Sequence, residues 1–252
     1  EAICRFQMRL RRGSFELKPP SPVLRVVQEG RTTDWDVVGR MSCRIRDEDY
    51  TLDAFYRDIG AFPELDLYLL ENNVVPGLIS CGDSGAAAAI SGRTIGDEYQ
   101  RTVGAFFAIY WLMRLSGDGR CGFCFGVDER YQPIRPDAGE ERLYPAEKRV
   151  KFFRESQWDE FDKLLLDAGL LVMDDAGELT VNAKRVATVL ALTAIHDIMK
   201  VKALLPTVAF DHIDYNGYVP GDQIGDHDHA LSYVMDHFPE LLPSFKGLDD
   251  AE

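Results

Sequence analysis

From Val186 to Ile195 the chain runs through ten consecutive uncharged residues, framed by Arg185 on one side and by the pair His196–Asp197 on the other. A stretch that is apolar around its whole circumference folds as a helix in the middle of a domain, because it leaves no face for water. Asn182 stands where the N-cap of such a helix belongs. A histidine and an aspartate at the end of a central helix must be paired, hydrogen-bonded or metal-bound, since an isolated buried carboxylate is costly. Lys200 lies one turn beyond His196 on the same face, placed to neutralise a carboxylate or to meet a phosphate.

The pattern on either side predicts a mainly α fold: a helical core with a small, irregular, β-containing N-terminal part. Alternation of apolar and polar residues over 4–10 reads as a strand, and 23–27 and 41–45 as further short strands. Residues 51–59 and 64–71 read as short helices separated by Pro63. The Gly/Ala/Ser-rich stretch 77–92 reads as a loop. Residues 97–115 read as a core helix, and 156–168 as an amphipathic one with Trp158, Phe161, Leu164 and Leu165 on its apolar stripe. The runs 170–173 and 179–181 flank 174–178 as a hairpin. The expected division is an N-terminal part, 1–93, and a helical domain, 94–252, with an internal boundary near 128–145.

A formal charge of −14 argues against nucleic acid as the main partner, because phosphate binding rests on clustered Lys and Arg. Residues 201–252 hold two lysines, no arginine and ten acids, a field that favours cations. No apolar run reaches the length of a membrane span, and no apolar segment backs the early arginines as a signal peptide would require. Five cysteines are too few for a disulfide scaffold, so an intracellular, cytoplasmic compartment is expected. The ends read as those of a piece of a longer protein, whose other domains are expected partners.

A second group of acids and histidines follows at 226–229. Asp226 reads as the cap of another helix. Helical geometry places His227 on a stripe with Ala230, Leu231, Val234 and Phe238, facing inward. The same geometry puts His229 with Tyr233 and Asp236 on the wetter side. Asp211, His212, Asp214 and Asp222 lie between the two helices and could reach the same point. Imidazole nitrogens and carboxylate oxygens together suit Zn, Mn, Fe or Mg, so His196, Asp197, Asp226 and His227 are the candidate ligands of a divalent metal. The alternative is a core histidine hydrogen-bonded to a carbonyl, with Asp197 capping the loop that follows.

The segment HDIMK at residues 196–200 resembles the His-Asp signature of the HD superfamily of helical, metal-dependent phosphohydrolases. DHDHALSYVMDHFPELL at 226–242 resembles a later helix of that fold, with His227 and Ala230 as the histidine and small residue. The resemblance covers the last quarter of the chain. It implies hydrolysis of a phosphate ester, on a small phosphorylated molecule, by a metal-activated water, with Asp197 bridging or orienting and Lys200 near the phosphate. HD proteins usually take a further histidine from an earlier helix, and this chain has none before His196. Asp97, Glu98 or Gln100 would have to substitute. The competing expectation is a non-catalytic helical module of a larger protein, in which the cluster is a structural metal site or a polar core network.

Three other motifs carry less. CGDSG at 81–85 lacks the upstream histidine of a serine protease. CGFC at 121–124 follows a long helix rather than a strand, and no second cysteine pair completes a zinc knuckle. DDAGE at 174–178 lacks the ligand alternation of an EF-hand and reads as a turn.

Overall fold

The computed structural model describes residues 32–70, 95–135, 144–245 and 248. The expected strands over 4–10 and 23–27, the loop over 77–92 and the CGDSG motif lie outside the described residues. In chain order the α-helices are α1 (Trp35–Arg44), α2 (Leu52–Asp58), α3 (Glu64–Leu70), α4 (Ile95–Leu112), α5 (Gly119–Phe125), α6 (Tyr144–Glu155), α7 (Trp158–Asp167), α8 (Ala183–Ile195) and α9 (His227–His237). The strands are β1 (Leu171–Met173) and β2 (Leu179–Val181), which pair antiparallel with Leu171 opposite Val181. The chain is mainly α, as expected.

The expected strand at 41–45 is instead the last turn of α1 and its cap. Asp34 caps this helix by accepting a hydrogen bond from the Val37 backbone N at 3.1 Å. Val38, Met41 and Ile45, all fully buried, recur at helical rather than strand spacing. Alternation over five residues was too short a window to separate the two periods.

The chain forms two compact units, each assembled from separate stretches of sequence. One comprises, among the described residues, 34–61, 104–135 and 144–190. Its inner side is aromatic: Phe55 packs on Tyr110 with ring centroids 5.1 Å apart, and the Tyr110 hydroxyl donates to the Tyr50 carbonyl at 2.7 Å. The guanidinium of Arg114, only 9 % exposed, ties the chain after α1 by donating to the carbonyls of Ile45 and Asp47. A separate apolar cluster gathers Leu115, Cys124, Phe125, Val150 and Trp158 between α5, α6 and α7. Leu164, expected on the apolar stripe of α7, is exposed, because that stripe closes on Trp158 and Leu165 and leaves Leu164 at its edge. The hairpin turn is held by Asp174, whose Oδ1 accepts from the backbone N of Ala176 and Glu178.

The other unit comprises, among the described residues, 32–33, 62–70, 95–103, 191–245 and 248. Here α3 and α9 both pack on the 3-10 turn Ile198–Lys200 that follows α8. Only the end of α8, from residue 191, belongs to this unit; its start lies in the first, where Asn182 caps it by accepting from the Arg185 backbone N at 3.2 Å. The helix is buried along Val186, Leu190, Ala194 and Ile195, but Leu192 is exposed, so an uncharged circumference did not mean burial on every side. No helix among the described residues is long and apolar enough to cross a membrane.

Candidate functional site

Asp197 lies two residues beyond the end of α8, at the cap of the 3-10 turn, and only 7 % of it is exposed. Its carboxylate lies 2.7 Å from the Lys200 Nζ and 3.5 Å from the His196 Nε2. Lys200 also reaches Glu98 of α4 at 3.5 Å. Burial pushes the Asp197 carboxyl up, but the Lys200 hydrogen bond and the charges of His196, Lys200 and Arg101 outweigh it. The net result is a carboxyl below its ordinary range, ionised at neutral pH. The His196 Nδ1 lies 2.7 Å from the Thr193 carbonyl, which makes Nδ1 the protonated nitrogen of the neutral ring and leaves Nε2 as its lone-pair atom.

Tyr68 of α3 lies close enough to the cluster to feel the charges of Asp197 and Glu98. It is fully buried, and its hydroxyl donates to the Ala194 carbonyl at 3.4 Å. Burial raises the phenol, the Thr102 hydroxyl lowers it, and the negative charges of Asp197 and Glu98 raise it further, so it stays a neutral donor. Sequence reading missed Tyr68, which lies among the leucines of α3 and carries no local signal of a polar role. Glu98, considered only as a substitute ligand, faces the cluster through Lys200.

The second group stands apart in character. Asp226 caps α9: its Oδ1 accepts from the backbone N of Asp228 and of His229, each at 3.0 Å. These bonds and the nearby His229 and His227 hold its carboxyl below the ordinary range. His227 is half-buried and His229 exposed, in the expected order. Tyr233, expected with His229 on the wetter side, is fully buried. Its hydroxyl accepts from the Ala209 backbone N at 2.8 Å and meets the His212 Nδ1 at 2.8 Å, so the segment before α9 folds back and covers that face.

Among the described residues, the one set of three or more ligand-type side chains with atoms within 4.8 Å of one another is Asp226, His227 and Asp228. It lies at the surface, with the Asp228 side chain 78 % exposed. His196 and Asp197 are not part of it, and their neighbours are Lys200 and Glu98. The CGFC motif falls within α5, where burial and the neighbouring Cys121 push the Cys124 thiol up to about 11, opposite to what a reactive thiolate needs. No known protein family, curated protein or solved structure matches this chain.

Proposed function

We propose that this chain is a non-catalytic helical module of a larger protein, in which His196, Asp197, Lys200 and Glu98 form a structural charge network. The contact that carries this reading is Lys200 Nζ at 2.7 Å from the Asp197 carboxylate. A carboxylate already neutralised by an ammonium has to release that partner before it can bind a divalent cation, and a buried ion pair is costly to break. Metal content of the purified chain, measured by mass spectrometry after incubation with Mn, Fe and Zn, tests this. The expected result is no stoichiometric metal in a folded protein. One metal per chain, absent from a folded Asp197→Asn variant, would overturn it.

A second reading, a metal-dependent phosphohydrolase of HD-like type, draws support from His196. Its Nδ1 is anchored on a backbone carbonyl and its Nε2 is left as a lone pair, the arrangement in which a histidine ligates a metal. In that case His196 and Asp197 would hold a divalent metal, Asp226 and His227 would have to leave their grouping with Asp228 to join them, and Lys200 would turn from Asp197 to the phosphate of a small phosphorylated substrate. The metal would supply an activated water. Stoichiometric metal together with phosphatase activity on a generic phosphate monoester, both lost in His196→Ala, would put this reading first.

A further inference from the structure

Between a second 3-10 turn, Lys202–Leu204, and α9 the chain forms a small hairpin. At its base the Val208 backbone N donates to the Asp222 carbonyl, the Val208 carbonyl accepts from Gly221, and the Pro206 carbonyl accepts from Ile224. At its tip Tyr215 and Tyr218 exchange two bonds of 2.9 Å around Asn216 and Gly217, whose φ values of +48° and +87° are those of a two-residue hairpin turn. It is anchored on α9 from within: the Tyr233 hydroxyl takes the Ala209 backbone N, and the Tyr215 hydroxyl donates to Asp236 at 2.6 Å. Its outward side is apolar, with Phe210 73 %, Ile213 87 % and Val219 47 % exposed. Three large apolar side chains held in water on one anchored hairpin are a cost to a monomer and mark an interaction surface.

The charge around them is one-sided. Asp211, Asp214 and Asp222 are exposed on the same hairpin, and from residue 203 to 245 there is no lysine or arginine. We propose that this hairpin docks a cationic polypeptide segment of a partner, one in which Lys or Arg side chains are interleaved with large apolar ones. The apolar residues of the partner cover Phe210, Ile213 and Val219, and its cations meet the three aspartates. The repulsion that a net-acidic copy of this chain would meet at the same place argues against self-association.

The test uses the full chain and a fluorescently labelled peptide in which arginines and leucines are interleaved, followed by anisotropy. A second peptide keeps the arginines and replaces the leucines by glycine, which isolates general attraction to a chain of −14. The first should bind, weaken with added salt, and bind Ile213→Ser about tenfold or more weakly, the scale expected for one covered isoleucine. Ile213 is almost wholly exposed, so its replacement leaves the fold intact, which circular dichroism checks. Equal binding of the two peptides, equal binding to wild type and Ile213→Ser, or no binding would each overturn the proposal. So would a concentration-dependent dimer in sedimentation that Ile213→Ser abolishes, which would assign the surface to a second copy.

Discussion

Replacing Lys200 by methionine keeps the aliphatic stem and deletes the ammonium that lies 2.7 Å from Asp197. At an effective dielectric of about 20, opposite unit charges at that separation attract by roughly 6 kcal/mol. Desolvation of both groups offsets much of this. Solvent reaches 23 % of the Lys200 side chain and 10 % of Asp197, so the pair is screened but not a surface pair. The expected net loss for Lys200→Met is about 2–3 kcal/mol, most of it from leaving the Asp197 carboxylate buried without its cation. In a chain of this size that lowers Tm by about 5–10 °C. Urea denaturation at neutral pH measures it directly.

The sign with pH follows from Asp197. Its carboxyl is held below the ordinary value, so its stabilising contribution is present above about pH 4 and is lost as pH falls through the lower, folded value. The gap between wild type and Lys200→Met should therefore close in acid. In an Asp197→Asn background the same lysine replacement should cost less than about 1 kcal/mol, because residue 197 is then uncharged and Glu98 keeps Arg101 as a cation at 3.4 Å. A loss that persists at full size in that background or in acid would show that the lysine stem, not its charge, matters. The structural network would then have no energetic basis.

Glu64 should behave in the opposite sense. Burial pushes its carboxyl up against the lowering effect of its Ser244 hydrogen bonds, so its contribution is present below the ordinary Glu value and is lost as pH rises through the raised one. Glu64→Gln keeps an acceptor for the Ser244 backbone N and removes the charge, so it should gain on wild type between acid and neutral pH in denaturant melts; a constant difference would count against the assignment. A methyl at Gly122 would overlap the indole of Trp111, so Gly122→Ala should cost about 2–3 kcal/mol, whereas Gly104→Ala, with open space around it, should not destabilise the protein. Equal effects of the two would refute the packing of α5 on Trp111. Tyr233→Phe strands the Ala209 backbone N and should cost about 1–3 kcal/mol. It should also speed hydrogen exchange at Ala209, and unchanged exchange would mean that the hairpin is held by other contacts.

Local physics made part of this protein readable from its residues. Asn182 and Asp226 announce the starts of α8 and α9 because a cap satisfies backbone donors within three residues of itself. The β1–β2 turn is legible for the same reason, since Asp174 and Gly177, with φ of +82°, close it without help from elsewhere. The mainly helical class follows from periodicity summed over long segments, which is why 97–115 was recognisable as α4 and five residues at 41–45 were not recognisable as part of α1. Part of the Lys200–Asp197 pair was visible too: Lys200 reads as a cation one turn beyond His196, placed to neutralise a carboxylate or to meet a phosphate, with its partner left open.

What surrounds that pair was not. Tyr68 and Glu98 come from helices far back along the chain, and only the tertiary fold brings them to Asp197. The burial of Tyr233 was equally out of reach, because a helical wheel ranks the faces of one helix and carries no information about a hairpin that folds over one of them. A hydrogen-bonded cap or turn is specified by neighbours in sequence, whereas the surroundings of a charged side chain are specified by whichever elements the core packs beside it.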